Sequence, residues 1–410
     1  MKIALLPLSL IGLLTSFLHG EGLEGKVMCG YQGWFRTPED GYRTGWSHYG
    51  GRAFAPGSCG IDLWPDVREL PESARVKTDF RHPDGSVAEV YSSTNPAAIS
   101  KHFEWMRDYG IDGIFLQRFA TTMKDPYYRR ALDDVLVNCR KSAAATGRQW
   151  VLMYDLSGLK PGETKLLIED WKRLANTLKV ADASDTAYLR HRDKPLVALW
   201  GLGFNDRPPM LDEWRELVRF FKDDAKCSVM LGVPACWRTL DRDAIADPAL
   251  LQIIAMADVV SPWTVGRYGK IPEVTRHATG TVKDDLAWCR DHRLDYLPVA
   301  FPGFSWHNLM AGRGRDLPVN QIARDGGRFL WSQATQYHDA GAKALYIAMF
   351  DELDEGTAIF KTRNDPPTGV SLFVSEPDVP NDRYLRIAGQ AGLLFRGKAP
   401  ETQDGLPVTK

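Results

Sequence analysis

Eight short apolar runs recur along this chain, separated by stretches with helical amphipathic spacing. The runs are 26–31 (KVMCGY), 112–119 (DGIFLQRF), 150–155 (WVLMYD), 196–201 (LVALWG), 228–234 (SVMLGVP), 258–263 (DVVSPW), 296–303 (YLPVAFPG) and 344–350 (ALYIAMF). Their hydrophobicity is continuous rather than alternating, which marks strands buried on both faces, as in parallel sheets. Helical spacing covers 95–110, 125–147, 211–225, 281–293 and 323–341; the first of these opens on Asn95–Pro96 and stops at Gly110, a cap-to-breaker signature. Eight strands alternating with helices predict a single α/β domain over 21–410, a (β/α)8 TIM barrel with enlarged loops. An open doubly wound sheet is the alternative, but no GxGxxG follows the first run, as a dinucleotide-binding sheet requires.

Residues 1–20 precede that domain: Lys2 is followed by an apolar stretch and small residues around Gly20. This pattern predicts a secretory signal peptide, hence a secreted or periplasmic protein. No second apolar stretch of spanning length follows, so no integral membrane span is expected. The cysteines (Cys29, Cys59, Cys139, Cys227, Cys236 and Cys289) contain no CxxC pair. They predict neither a zinc site nor a disulfide-built fold, although export permits one or two bridges. The net charge of −1 over 410 residues offers no electrostatic reason for a nucleic-acid partner. A monomer is expected.

In such a barrel, chemistry belongs to the rim at the C-terminal ends of the strands. The residues there are Tyr31, Trp34, Arg118, Asp155, Trp200, Trp237, Trp263 and Trp306, with His48 in the first long loop. Flat aromatic rings and carboxylates in one cleft suit a glycan substrate, and the chain has 13 tryptophans. Arg118 is a candidate for orienting a carboxylate or a substrate hydroxyl, and His48 for binding sugar hydroxyls.

The segment FDELDEGT (350–357) follows the eighth run and crowds Asp351, Glu352, Asp354 and Glu355 together. On a strand, positions 352 and 355 face opposite ways; in a turn they share one side. Gly356 and Thr357 predict that turn. Neighbouring carboxyls split their pKa values into one acid and one base, the pair that glycoside cleavage uses.

FDELDEGTAI (350–359) resembles the FNEWHEGTxI signature of the endo-α-mannosidases, glycoside hydrolase family 99, with Phe350, Glu352, Glu355, Gly356, Thr357 and Ile359 in register. Similar segments recur at 31–48, 91–114, 302–304 and 324–329, across nearly the whole domain. The resemblance implies a (β/α)8 barrel that hydrolyses α-linked glycans without a cofactor. It implies that Glu352 deprotonates the substrate 2-hydroxyl, that a 1,2-anhydro sugar forms, and that Glu355 acts as acid and then as base. Asp155 matches an acidic position beside the scissile sugar. Asp351, Leu353 and Asp354 stand where the signature has Asn, Trp and His; Asp351 joins the substrate-binding candidates. A broader group between families 71 and 99, with xylosidase- or arabinosidase-like members, is a second resemblance. Two other classes accommodate the same residues: a non-catalytic carbohydrate-binding barrel, and a metal-dependent hydrolase holding a cation through Asp351, Asp354 and Glu355.

Overall fold

The computed structural model describes residues 22–403 and 406–407; the expected signal peptide lies outside them. The apolar runs form barrel strands β1 (Val27–Tyr31), β2 (Gly113–Phe119), β3 (Gln149–Asp155), β4 (Lys194–Trp200), β5 (Ser228–Pro234) and β6 (Val259–Trp263). Next come β7, in two pieces (Asp295–Tyr296 and Val299–Ala300), and β8 (Leu345–Ile347). Neighbours run parallel around the ring, and β8 returns to β1 with Leu345 opposite Val27. The fold is the expected TIM barrel.

The seventh run differs from the single strand predicted over 296–303. Its first piece pairs with β6 (Asp295 opposite Val259) and its second with β8 (Val299 opposite Tyr346). Pro298, between them, brings no N–H to a ladder. Its carbonyl still accepts from the Tyr346 N–H at 3.0 Å, so the ring stays closed.

Helices Pro96–Tyr109 and Pro126–Thr146 follow their predicted caps: Asn95 and Asp125 accept from the first-turn N–H groups, and Gly110 and Gly147 end the helices in left-handed conformation. Helices Leu211–Arg219, Lys283–Asp291 and Arg328–Ala340 fall within the other three predicted stretches, and the fold adds helices Lys165–Thr177 and Arg383–Phe395 and the hairpin Val76–Arg81/Val87–Val90.

Side-chain alternation along the strands decides what faces the barrel interior. Met28, Phe115, Val151, Met153, Leu196, Ala198 and Tyr346 belong to one buried cluster, the barrel lumen. Their neighbours Val27, Cys29, Ile114, Leu116, Leu152, Tyr154 and Leu199 belong to the other, between sheet and helices. Continuing the inward parity towards the rim gives Gln32, Gln117, Phe119, Asp155 and Trp200. All six cysteines are unpaired. Among the described residues no helix is long and apolar enough to cross a membrane.

Candidate active site

Leu353–Gly356 form a turn at the mouth of the barrel, closed by Ala358 N–H to the Glu352 carbonyl at 2.9 Å. Gly356 has φ +65°, and a Cβ there would come within 2.9 Å of Ser305 Cβ. Only glycine meets both conditions without strain. The turn brings Glu352 and Glu355 to one cavity.

The two carboxyls differ in their partners. Glu352 Oε1 accepts from the Gln32 side-chain amide at 2.6 Å, and Oε2 from the Thr357 hydroxyl at 2.5 Å. Burial pushes the Glu352 carboxyl well above its ordinary value, Glu355 and Asp354 add to this, and the two donors oppose it. Burial also raises Glu355, again with help from Asp354; the Trp306 indole and Arg313 offset part of the effect. Two such groups in one site retain a proton between them near neutral pH, because ionising both places like charges side by side in a poorly solvated space. Asp155 ends β3, accepts from Ser157 N–H at 2.7 Å, and is pushed up to about 6 by burial.

The cavity encloses about 460 Å³, and both glutamates, Asp155, Gln32, Gln117 and Arg207 line it together with the aromatic rings of Trp34, Phe119, Trp200, Phe204, Trp263, Phe304 and Trp306. Trp200 and Trp263 meet edge to face at 5.2 Å, and Phe304 supports Trp306 at 4.9 Å. Buried polar atoms of residues on this wall have no hydrogen-bond partner in the protein, among them the Gln32 and Gln117 side-chain carbonyls and the Trp34 and Trp200 indole nitrogens. Leaving such atoms unbonded is costly, and a group bringing both donors and acceptors, a ligand or an ordered water, would satisfy them.

Five sequence candidates lie off this wall. Tyr31 has outward parity and bonds His102 at 2.8 Å. Arg118 is likewise turned out of the lumen, buried against Asp170 (2.7 Å) and Asp133 (2.8 Å); it ties β2 to the surrounding helices instead of meeting substrate. Asp351 accepts from the Gln32 and Gly33 N–H groups at 2.7 and 2.9 Å, clamping the segment after β8 to the end of β1. His48 stacks on Trp34 (3.8 Å between centroids, 7° between planes) and bonds Asp354 at 2.9 Å, so it backs the Trp34 platform. Trp237 is also buried away from the cavity, donating to Asp285 at 3.1 Å.

Sequence reasoning missed Gln32, Gln117 and Arg207 on the wall, and the residues that hold the turn. Buried Arg324 donates to the Gly356 and Ala358 carbonyls at 2.8 and 2.9 Å. Asp62 accepts from the His307 and Asn308 N–H groups at 2.7 and 2.8 Å and from the Ser305 hydroxyl, fixing the loop that carries Trp306. The inward parity of β1 and β2 was the available signal for both glutamines. Among the described residues no group of three or more His, Cys, Asp or Glu side chains is arranged to hold a metal ion.

No protein-family model matches the chain, and no curated protein matches it significantly. Solved structures do. The GH99 endo-α-mannosidase from Bacteroides thetaiotaomicron is 13% identical with a TM-score of 0.63, covering 92% of this chain and 98% of that one. A second structure of that enzyme, in complex with BIS-TRIS-propane, is 15% identical with a TM-score of 0.64 and the same coverage. At this identity the likeness is one of fold: the chain shares the TIM barrel of these enzymes.

Proposed function

We propose that this protein is a glycoside hydrolase acting on α-linked glycans, with Glu352 and Glu355 as its reacting pair. The observation that carries this reading is the cavity wall, where buried Glu352 and half-buried Glu355 are joined by residues with unpartnered donors and acceptors and by aromatic rings. A sugar satisfies all three features, with hydroxyls for the polar atoms, an apolar face for the rings and a glycosidic oxygen for an acid.

Glu352, with both oxygens held by donors, is the better carboxylate of the pair and takes the proton of the substrate 2-hydroxyl. That oxygen attacks the anomeric carbon, and Glu355, which holds the shared proton, delivers it to the departing glycosidic oxygen. Glu355 then removes a proton from the water that opens the 1,2-anhydro sugar, and Glu352 returns its proton to the 2-oxygen. The configuration is retained. Asp155 sits at the same cavity and receives substrate hydroxyls. We also propose export, with residues 1–20 removed; N-terminal sequencing that finds Met1 on secreted protein ends that idea.

Screening α-linked glycans with product analysis supplies the substrate. Glu352→Gln and Glu355→Gln are each expected to lower turnover by roughly 10²–10⁴-fold with folding and glycan binding retained. Full activity in both variants overturns the assignment. Glycan binding without turnover in the unaltered protein favours a carbohydrate-binding barrel instead.

A further inference from the structure

A second cavity of about 650 Å³ opens at the same rim, walled by the segments that follow β5 and β6. Arg267 lines both this cavity and the catalytic one, so the two spaces are neighbours with that side chain at their border. Its character differs. The catalytic pocket is acidic, whereas the second cavity gathers Arg242, Arg267 and Arg276 from three separate elements, with His277 behind them.

The two acids on its wall are already committed. Asp243 accepts from the Ala235 and Cys236 N–H groups, both at 3.0 Å, and from Arg267 at 2.8 Å. Glu273 accepts from the Gly269 and Lys270 N–H groups at 2.8 and 3.1 Å. Arg276 is exposed and faces no acid at ion-pair distance among the described residues, while the nearest acid to Arg242 is Asp241, at 3.6 Å. The His277 ring packs on Tyr268 at 5.1 Å, and its buried Nε2 has no protein partner. Burial, then Arg242, holds its pKa down to about 4, so it meets a ligand as a neutral hydrogen-bonding group.

We propose that this second cavity is an extended glycan subsite for an anionic sugar, bearing a carboxylate or a sulfate ester, beside the residue held in the catalytic pocket. Guanidinium groups match either anion with paired N–H donors, and His277 Nε2 is left for a hydroxyl of the same sugar. The proposal rests on the glycosidase reading for the direction of the chain, but its test is a binding measurement that needs no turnover.

The full chain carrying Glu355→Gln is titrated calorimetrically with three probes on one backbone. They are a heparin hexasaccharide, its desulfated and N-acetylated form that keeps the carboxylates, and the desulfated, N-acetylated, carboxyl-reduced form that is neutral. At least one charged probe is expected to bind 10-fold or more tightly than the neutral one, with an affinity that falls as salt rises; which one binds separates sulfate from carboxylate recognition. Arg242→Ala with Arg276→Ala, both at exposed positions, is expected to remove that preference. Arg107→Ala with Arg290→Ala, exposed arginines elsewhere, is expected to leave it intact. Equal or absent binding of the charged probes, or equal loss in both double variants, overturns the proposal. Charge-selective binding with no glycan cleaved by the unaltered protein sinks the glycosidase reading alone, and cleavage without charge preference sinks the subsite alone.

Discussion

Gln32 donates its side-chain amide to Glu352 at 2.6 Å across 320 positions of sequence, and the Gln32 backbone N–H donates to the adjacent Asp351 at 2.7 Å. One residue at the end of β1 therefore fixes both the path and the protonation of the acidic segment after β8. A hydrogen bond to a charged group contributes about 1.5–3 kcal/mol, and 1.36 kcal/mol is one pKa unit. Gln32→Leu keeps the size and removes the donor, which favours the neutral form of Glu352 and raises its pKa. The low-pH limb of kcat/KM is expected to move up by about one to two units. A limb that stays in place means that Gln32 does not tune Glu352.

The leaving group separates the two glutamates. Glu355→Gln lacks the acid, so aryl glycosides with acidic phenols are expected to recover most of the lost bond cleavage. Glu352→Gln lacks activation of the 2-hydroxyl and is expected to remain slow with every phenol. A Brønsted plot for each variant tests this, and equal slopes contradict the assigned roles.

Arg324 lies under the turn, bonded to the Gly356 and Ala358 carbonyls, paired with Glu376 at 3.4 Å and stacked on the Tyr384 ring at 3.9 Å. Arg324→Met leaves Glu376 and both carbonyls without that partner. Leaving a buried acceptor unsatisfied costs about 1–3 kcal/mol, and denaturant unfolding is expected to show a loss of at least that order from the Gly356 and Ala358 carbonyls, since half-buried Glu376 keeps the Gly326 N–H and the Tyr384 hydroxyl. Turnover per folded molecule should fall as well. A stable, fully active variant removes Arg324 from the support of the site.

Stability should depend on pH with a defined sign. Burial raises the Asp351 carboxyl to about 7 and the Asp155 and Asp285 carboxyls to about 6, from an ordinary 3.8. Folded protein therefore holds more protons than unfolded protein between those values, so stability falls as pH rises through them. Burial raises Asp170 and Asp382, but their partners together, Arg118 with Arg173 and Arg386 with Tyr109 and Lys361, hold both below the ordinary value; their contribution is lost as pH drops below about 4. Thermal unfolding is expected to give a higher Tm near pH 5 than near pH 8.5. The Glu352→Gln and Glu355→Gln variants should flatten the decline, since each removes a raised carboxyl. A Tm that climbs steadily to pH 8.5 contradicts this account.

The barrel itself was legible in the sequence, because parallel strands covered on both faces must be apolar along most of their length, and the runs from Val27 to Ile347 are, with their polar residues gathered towards the ends. The turn at 353–356 was legible too, since Gly356 is a local signal for a backbone that other residues resist. What local pattern could not supply was which side of each strand meets the lumen. One position of parity separates Arg118, buried against Asp170, from Gln117 and Phe119 on the cavity wall, and Tyr31 from Gln32. Charge and aromaticity drew attention to Arg118 and Tyr31, while the inward register belonged to two uncharged glutamines. Pro298 broke the seventh strand for want of one N–H, an effect whose tolerance depends on the neighbouring Tyr346. Gln32 with Glu352, and Arg324 with Gly356, meet only when the ring closes; such contacts are decided in three dimensions, because the energy of a buried hydrogen bond depends on where both partners end up and not on their spacing along the chain.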